Sequence, residues 1–428
     1  MFIYTVKGRD TVQSLAQQYN VAPEAITVAN GMVRGEPLAL GQSLLIPIES
    51  DSHLVKPGES FWAISQQYGV TMQELARVNH INNPALILPG MQLRIPTPRK
   101  TTIEVNGYTE PSISATGISP SAADAARHLT FLSPFSYQIR PDGSLSTLHD
   151  QPVITEAYRS RTAPMMVITN FDGYAYSPSL AHTILSNEMA KERLIYHILT
   201  TMQTNRLWAL NVDFAYIPAA DRQLYHSFLE RLADTLHRAG AIVSSTLPPV
   251  SSSDQRGQLF DGQDYAAHGR IMDYVILMTY EWGWAGGPPM PIAPRNEVTK
   301  VLNYATSQIP SDKIMLGMPL YGYDWTLPYI PGQDFALSIS SNNAVRQAAR
   351  YGAAIEYDPL AESPYYHYQD EHGMRHEVWF EDARSVQAKL DLVKIYRLRG
   401  ISGWVLDVPF PAFWKVLEHN FRVAKIIG

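Results

Sequence analysis

An internal repeat over the first 96 residues restricts the fold of this chain more than any other sequence feature. Residues of the first copy recur 49 positions later without a gap, as Val6-Lys7 and Val55-Lys56 illustrate. Each copy reads as a strand, a turn, a helix, a short helix and a second strand. The repeat therefore predicts two small βααβ modules in tandem, at residues 1–48 and 50–97.

The rest of the chain has a different pattern, in which apolar, β-branched runs alternate with helical stretches such as 221–238. Eight candidate strands with helices between them over residues 101–428 predict an α/β fold, the (β/α)8 TIM barrel. A short, stiff segment at 96–100, with two prolines, is predicted to link the repeat to the barrel. The candidate strands are 102–106, 128–137, 165–170, 207–214, 241–247, 274–280, 314–321 and 400–407.

One connection of the predicted barrel, at about 323–382, is too long for a simple loop between a strand and a helix. It contains a helix-like run at 343–351 and polar, aromatic strands near 365–378. We therefore predict a small α+β insertion between strands 7 and 8, and we expect it to wall one side of the cleft.

Composition and charge exclude several classes of function. The chain has 428 residues, a net charge of −6 and no cysteine, which rules out disulfides and cysteine-ligated metals. Excess negative charge argues against nucleic acids and anionic membranes as the main partners. No uncharged apolar stretch approaches the roughly 20 residues of a membrane helix. Residues 1–10 lack the basic head and apolar run of a secretory signal peptide, so none is expected.

The segment 210–216, Leu-Asn-Val-Asp-Phe-Ala-Tyr, is the strongest candidate for a catalytic site. On a strand, Asn211, Asp213 and Ala215 share one face, while the apolar residues between them share the other. Polar side chains on a strand bounded by apolar residues are costly to bury unless something polar lies beside them. Active sites of barrels lie at the carboxyl ends of the strands, so these three positions are predicted to approach the barrel mouth.

Other strand ends supply aromatic and polar side chains for the same mouth. Tyr280 ends the sixth strand and precedes Glu281 and a rigid aromatic loop at 282–289, while Trp404 lies on the eighth strand. Simple packing of Tyr280 and Trp404 in the barrel core is the alternative interpretation of these two residues. The full set of candidate substrate contacts is Trp404, Tyr216, Met278, Glu281, Trp282, Tyr321, Phe135 and Asn170.

Segment 208–215 resembles the signature strand of family-18 glycoside hydrolases, Asp-Gly-x-Asp-x-Asp-x-Glu, although Trp208-Ala209 replaces its first two residues. In that family the acetamido oxygen of the substrate attacks the anomeric carbon and no enzyme nucleophile is used. The resemblance implies that Asp213 orients and stabilises the acetamido group. Asn211 replaces the second aspartate of the motif, and we expect its amide to hydrogen-bond Asp213. It places the acid/base glutamate at position 215, where Ala215 can neither donate nor accept a proton.

The Met-x-Tyr and strand-8 motifs extend the same resemblance. Met278-Thr279-Tyr280 is similar to the family's Met-x-Tyr-Asp element, which implies that the Tyr280 hydroxyl positions the acetamido oxygen. Glu281 stands where a sugar-binding aspartate is usual, and Trp404 is similar to the tryptophan beneath the sugar ring. The family uses no metal and no organic cofactor, so none is expected here.

The N-terminal repeat resembles tandem LysM modules, which bind glycans that contain N-acetylglucosamine. In that family the sugar lies between the first strand–helix turn and the loop before the last strand. The alternative is that the two modules only pack against the enzyme. Carried over, the glycan-binding positions are Gly8, Asp10, Thr11 and Leu40 in the first module and Gly58, Ser60, Phe61 and Leu88 in the second.

Two LysM modules followed by a family-18 barrel resemble bacterial spore-cortex peptidoglycan N-acetylglucosaminidases. The resemblance implies a monomeric, retaining hydrolase of peptidoglycan, associated with the spore coat, the cortex or the cell wall. Ala215 leaves two interpretations open. Either a working enzyme has had its acid replaced, or the barrel is a catalytically dead protein that only binds glycan. A chitinase-like hydrolase is a further alternative.

Overall fold

The structure, a computed structural model, describes residues 1–48, 52–96, 100–333 and 335–428. Most of the predicted linker, residues 97–99, lies outside these described residues, as does the predicted junction of the two modules at 49–51. Within the described ranges, no helix is long and apolar enough to cross a membrane.

Each N-terminal module has the predicted βααβ order, with its two strands paired antiparallel. The repeated asparagine explains part of the shared sequence. Asn30 ends a helix, and its side-chain amide exchanges hydrogen bonds of 2.9 and 2.7 Å with the backbone of Leu45. Asn79 makes the same pair of bonds with Arg94, at 2.7 and 2.6 Å. The elements are β1 (Phe2–Thr5), α1 (Val12–Tyr19), α2 (Pro23–Asn30), β2 (Ser43–Ile46), β3 (Ser52–Leu54), α3 (Phe61–Tyr68), α4 (Met72–Val78) and β4 (Gln92–Arg94).

Both modules are packed into the rest of the molecule. Their apolar residues form one continuous core, in which Leu15 and Ile26 of the first module join Phe61 and Leu75 of the second. The first module also packs against the barrel domain, because Ala29 and Leu45 belong to the core of that domain. Burial of this apolar surface fixes the modules against the barrel rather than leaving them on a free tether.

The strands after residue 100 confirm the predicted TIM barrel. Eight of them, β5, β6, β8, β9, β10, β11, β12 and β18, pair in parallel, and the β18–β5 pairing closes the cylinder. The short β7 extends beside β8, and β19 adds to the edge of β5. The strands are β5 (Thr101–Thr109), β6 (Phe131–Pro134), β7 (Tyr137–Gln138), β8 (Ala163–Thr169), β9 (Ala209–Asp213), β10 (Ile242–Leu247), β11 (Tyr274–Leu277), β12 (Ile314–Pro319), β13 (Tyr321–Leu327), β14 (Leu337–Ser340), β15 (Glu356–Asp358), β16 (Ser363–Gln369), β17 (Arg375–Trp379), β18 (Gly400–Trp404) and β19 (Phe421–Val423).

Several predicted strands extend past the observed ends. β9 ends at Asp213 and β11 at Leu277, so positions 214–216 and 278–280 belong to the barrel mouth. At 214–215 the backbone hydrogen-bonds to side chains instead of to the neighbouring strand. The Ala215 N–H, for example, donates to the side chain of Asn170 at 3.0 Å instead of to a neighbouring strand. Apolar alternation alone does not mark where that exchange begins.

Helices cover the outside of the barrel. Helix α9 matches the predicted segment 221–238 to within one residue and buries Tyr225, Phe228, Leu232 and Leu236 along one side. Burial of each of the three apolar side chains in this set, Phe228, Leu232 and Leu236, stabilises the fold by about 1.5–3 kcal/mol. The helices are α5 (Pro120–Ala125), α6 (Gln151–Arg159), α7 (Pro178–Ser186), α8 (Glu188–Asn205), α9 (Arg222–Arg238), α10 (Tyr265–Ile271), α11 (Arg295–Gln308), α12 (Ser341–Tyr351), α13 (Ala383–Tyr396) and α14 (Pro411–Asn420).

The insertion between the seventh and eighth barrel strands has the predicted α+β composition. It contains a five-stranded sheet in the order β14-β13-β17-β16-β15, whose pairings are antiparallel, together with helix α12. Ala344 and Ala348 of that helix pack with Tyr366, Val378 and Phe380 of the sheet and its edge. The insertion is thus a small folded unit with a core of its own.

Candidate active site

A cleft of about 520 Å³ opens at the carboxyl ends of the barrel strands. Its walls come from strands or loops that follow β5, β6, β8, β9, β10, β11 and β18, so most of the barrel contributes to it. Aromatic rings and small polar groups alternate around the opening, as expected for a site that binds a sugar. The lining residues are Tyr108, Glu110, Ser112, Phe135, Ser136, Gln138, Ser146, Thr147, Leu148, Phe171, Tyr176, Asp213, Thr246, Met278, Tyr280 and Trp404.

Asp213 is the buried carboxylate of this cleft, and its side chain has one tyrosine donor. The Tyr176 hydroxyl donates to Asp213 Oδ2 at 2.8 Å. Burial raises the pKa of Asp213 to about 6, against a smaller lowering by the Tyr176 hydrogen bond. Burial, and after it the charge of Asp213, raise the pKa of Tyr176 well above its usual value, so that this hydroxyl keeps its proton. The site thus holds a titratable acid where it meets the substrate cleft.

Asn211 lies deeper in the barrel and uses its amide on other partners. Its Oδ1 accepts hydrogen bonds from Tyr108 at 3.0 Å and Thr246 at 2.9 Å, and its Nδ2 donates to Ser244 at 3.1 Å. The expectation that Asn211 bonds to Asp213 is therefore wrong, because the hydrogen bonds of the amide go to side chains on β5 and β10. Asn211 instead fixes the Tyr108 and Thr246 side chains, both of which line the cleft.

Tyr280 and Trp404 both reach the cleft, as predicted for sugar contacts. Burial and the nearby charges of Asp213 and Glu281 raise the pKa of Tyr280 well above its usual value, so its hydroxyl stays a hydrogen-bond donor. The Trp404 ring packs edge-on against Phe135 and Tyr108, with ring centroids 4.9 and 5.6 Å apart. These three rings form the apolar side of the cavity.

Ala215 is held rigidly two residues beyond Asp213. Its N–H donates to Asn170 Oδ1 at 3.0 Å and its carbonyl accepts from Asn170 Nδ2 at 2.9 Å. The preceding Phe214 stacks on Tyr225 and Phe228 of α9, on the outer side of the barrel. Asn170 is fully buried and lies outside the lining of the cleft, so its observed contact is with the backbone of position 215 rather than with a substrate.

Glu281, Tyr321, Trp282 and Tyr216 lie beyond the residues that line the cavity. Glu281 accepts hydrogen bonds from the hydroxyls of Tyr321 and Tyr323, in a left-handed backbone conformation with φ of 68°. Tyr216 is also left-handed, with φ of 54°, and is partly exposed. The carboxylate of Glu281 therefore ties the start of the aromatic loop to the first strand of the insertion, β13.

The insertion supports this loop and does not line the cavity itself. The Trp325 indole donates to the carbonyl of Gly287 at 2.8 Å, and the Tyr329 hydroxyl donates to that of Gly286 at 2.7 Å. Among the described residues, no residue of 323–382 lines the cleft around Asp213. The expected wall is thus indirect, because the insertion packs behind the loop at 282–289.

Several residues of the cleft carry no recognisable sequence signal. Tyr176 reaches Asp213 from the loop after β8, 37 residues earlier in the chain. Tyr108 and Thr246 could have been found, because they lie near the carboxyl ends of the first and fifth barrel strands. The lining residues that the sequence did not indicate are Tyr108, Glu110, Ser112, Ser136, Gln138, Ser146, Thr147, Leu148, Phe171, Tyr176 and Thr246.

The predicted glycan-binding residues of the modules differ in their surroundings. Thr11 and Ser60 are N-caps, whose side chains accept from the first turns of α1 and α3. Asp10 accepts from the Tyr4 hydroxyl at 2.9 Å and the Lys7 N–H at 2.7 Å, while Phe61 is buried in the module core. Phe61 was therefore wrongly placed against a sugar. The two N-caps are exposed, as are the other four residues, Gly8, Leu40, Gly58 and Leu88.

The raised pKa of Asp213 predicts a pH dependence of stability. The unfolded chain releases this proton near pH 4, whereas the folded protein holds it until about pH 6. Folding stability therefore falls as the pH rises from 4 to 6 and stays lower above it, by about 3 kcal/mol for this group. Asp213→Asn should raise the melting temperature at pH 7.5 but not at pH 4. The control substitution Asp254→Asn, at an exposed aspartate, should leave the melting temperature unchanged at both pH values. An equal effect of Asp213→Asn at both pH values would contradict this burial.

Comparison with known proteins agrees with the fold. The model of a family described as glycosyl hydrolases family 18 matches residues 134–408, and the LysM domain model matches 4–47 and 53–96. The cortical fragment-lytic enzyme of Bacillus subtilis (strain 168) is 40% identical over 99% of both chains. The putative sporulation-specific glycosylase YdhD of the same organism is 33% identical over the full length of both.

Solved structures of similar proteins also have this fold. The spore cortex-lytic enzyme SleL of Bacillus cereus is 39% identical, with a TM-score of 0.88 over 99% of each chain. A chitinase from Chromobacterium violaceum is 27% identical, with a TM-score of 0.69 over 74% of this chain and 99% of its own. Because the family model covers most of the barrel and a relative is similar along nearly the whole chain, this protein belongs to glycosyl hydrolase family 18 and carries two LysM domains ahead of its barrel.

Proposed function

We propose that this chain has the architecture of a SleL-type peptidoglycan N-acetylglucosaminidase that acts on spore-cortex fragments, with its acid position occupied by Ala215. The observation that carries the proposal is the buried carboxylate of Asp213 in an aromatic cleft lined by Tyr280 and Trp404. Relatives named as cortical fragment-lytic enzymes share the whole length of the chain, which supports the substrate class.

Asp213 would act on the substrate's own acetamido group. As the acetamido oxygen attacks the anomeric carbon, positive charge develops on the acetamido nitrogen. A carboxylate held in a site of low dielectric accepts the N–H and stabilises that charge more strongly than it would in water. The Tyr176 hydroxyl, 2.8 Å from Asp213 Oδ2, holds the carboxylate in one orientation and leaves its other oxygen for the substrate.

Tyr280 and Trp404 would position the sugar for this attack. A protonated hydroxyl at Tyr280 donates to the acetamido oxygen and aims it at the anomeric carbon. The apolar surface made by Trp404, Phe135 and Tyr108 covers the face of the ring and displaces water from it. These groups require no metal and no organic cofactor.

Position 215 is where proton transfer to the leaving oxygen would occur. Phe214 packs outward against α9, and Ala215 itself is buried outside the lining of the cleft, so we propose that the longer side chain of a glutamate here extends from position 215 towards Asp213. The two hydrogen bonds between the Asn170 side chain and the backbone of Ala215 would fix the position from which a longer side chain extends. A glutamate at this position would protonate the leaving oxygen and then activate water, with net retention at the anomeric carbon.

Ala215 also supports a second candidate, a glycan-binding protein without hydrolytic activity. In that case the aromatic cleft and the LysM domains would retain peptidoglycan in the cortex or the cell wall without cutting it. We expect a monomer under either function. The retention of Asp213, Tyr176, Tyr280 and Trp404 as one arranged set favours the hydrolase architecture, because a purely binding cleft has no need of a buried carboxylate.

The bond that is cut distinguishes the proposed N-acetylglucosaminidase from a muramidase and from a chitinase-like hydrolase. Cortex fragments digested with the Ala215→Glu form should release products with N-acetylglucosamine at the reducing end, as identified by mass spectrometry after borohydride reduction. Products that end in muramic acid would instead identify a muramidase. Cleavage of chitin oligomers with no cleavage of cortex fragments would support the chitinase-like alternative.

A further inference from the structure

The two LysM domains differ at the loop before their last strand, which is one half of the expected glycan groove. Ala39 of the first domain is 3% exposed, whereas Leu88, its counterpart 49 positions later, is 66% exposed. Gly41 and Gly90 differ in the same way. A Cβ on Gly41 would lie 1.9 Å from the carbonyl oxygen of Ile355, while one on Gly90 would meet no atom within 4 Å.

The barrel insertion occupies the loop of the first domain. The Ile355 N–H donates to the carbonyl of Leu40 at 2.8 Å, so a backbone group of this loop is already satisfied. Ala39 belongs to the insertion's own apolar core, where it packs with Ala344, Ala348 and Ile355. A glycan could use this part of the first domain only by displacing the insertion.

Polar contacts on helix α12 secure the same interface. The Asn342 side chain donates to the carbonyl of Gly31 at 3.0 Å. The Arg346 guanidinium donates to the same carbonyl at 3.2 Å and pairs with Glu36 at 3.1 Å. With the apolar packing of Ala29 and Leu45 against the barrel domain, these contacts hold the first domain on two sides.

The second domain keeps its loop open. Leu86 and Leu88 are both more than half exposed, and neither belongs to a hydrophobic core among the described residues. Trp62, directly after the first strand–helix turn, is also exposed, and the matching position of the first domain is Gln13. Exposed apolar and aromatic side chains of this kind cover the faces of sugar rings.

We propose that the two LysM domains have different roles: the second binds an N-acetylglucosamine-containing glycan, and the first is a fixed connector whose glycan loop is docked on the barrel insertion. The proposal rests on the proposed function only in taking peptidoglycan glycan as the polymer. Because the two domains share one apolar core, the first domain holds the second in a set position relative to the catalytic cleft. Glycan bound at the second domain would therefore be presented to the barrel at a defined distance.

Matched substitutions in the full chain test this division. Leu88→Asp and Leu40→Asp each place a charge on an exposed side chain of the same loop, in the second and first domains respectively. Because Ala215 prevents turnover, binding to purified insoluble peptidoglycan can be measured by sedimentation without loss of the polymer. We expect Leu88→Asp to weaken binding at least tenfold and Leu40→Asp to change it less than twofold. Leu86→Asp should behave like Leu88→Asp.

Each remaining outcome would overturn the division. Equal losses from Leu40→Asp and Leu88→Asp would show that both domains bind, and no loss from Leu88→Asp or Leu86→Asp would show that the second domain does not. Thermal unfolding of each variant checks that the substitutions leave the fold intact. The proposed hydrolase activity is tested by a different measurement, the hydrolysis of cortex fragments by the Ala215→Glu form. That result does not depend on which LysM domain binds glycan.

Discussion

Replacing Ala215 with glutamate should raise the rate of hydrolysis of cortex fragments by about 10²- to 10⁴-fold, which is the range for a positioned general acid. Alanine has no group that transfers a proton, so the leaving oxygen must depart as an alkoxide. The Asn170 hydrogen bonds already fix the backbone at position 215, and the new carboxyl would emerge on the side of Asp213. Reducing ends released over time measure the rate for both forms.

Ala215→Gln provides the control, because glutamine has the shape of glutamate without its acidity. It should stay as inactive as the chain with Ala215 while binding fragments equally well. If Ala215→Glu is no faster than Ala215→Gln, the hydrolase interpretation fails and the glycan-binding alternative replaces it.

Within the Ala215→Glu form, Asp213→Asn and Tyr280→Phe should each lower kcat by about 10²-fold or more, the effect expected when a group that stabilises a developing charge is lost. Both side chains act on the acetamido group mainly in the transition state, so KM should change much less than kcat. Steady-state kinetics on soluble cortex fragments separate the two parameters. A rise in KM with an unchanged kcat would reduce Asp213 and Tyr280 to simple binding residues.

A substrate that carries hydroxyl in place of its acetamido group completes the test. Substrate-assisted attack is impossible for it, so the Ala215→Glu form should barely cleave it, and Asp213→Asn should cause little further loss. Normal turnover of that substrate would exclude the substrate-assisted route. Tyr176→Phe should have an intermediate effect, because it frees the Asp213 carboxylate from one orientation without removing it.

The repeat and the barrel could be predicted because both leave periodic traces in the sequence. Asn30 and Asn79 recur since each closes the same contact between a helix end and the last strand of its module. The barrel strands are nearly continuous apolar runs because both of their faces are covered. Their carboxyl ends were less predictable, since residues such as Ala215 exchange ladder hydrogen bonds for side-chain partners at the mouth.

The candidate site was predicted where a motif supplied the residue or, as for Phe135, where a predicted strand ended. Asp213, Tyr280 and Trp404 lie on motifs and reach the cleft, whereas Tyr176 comes from a loop that no local pattern distinguishes. Asn170 and Phe61 illustrate the opposite error, since both were assigned to ligand contacts and both are buried. Ala39 packs against the insertion, which lies more than 300 residues later in the chain. Patterns within a single sequence do not indicate a contact between segments so far apart.

The central claim is that the chain lacks only its proton donor, and an activated substrate tests it most directly. A dinitrophenyl leaving group departs without protonation, so general acid catalysis is not needed to expel it. The chain with Ala215 should therefore release dinitrophenolate from a dinitrophenyl N-acetyl-chito-oligoside, faster with added azide to intercept the cyclised intermediate. Asp213→Asn should abolish this release. Release no faster than that of Asp213→Asn would contradict the claim, since it would mean that the cleft does not support acetamido attack even when no acid is required.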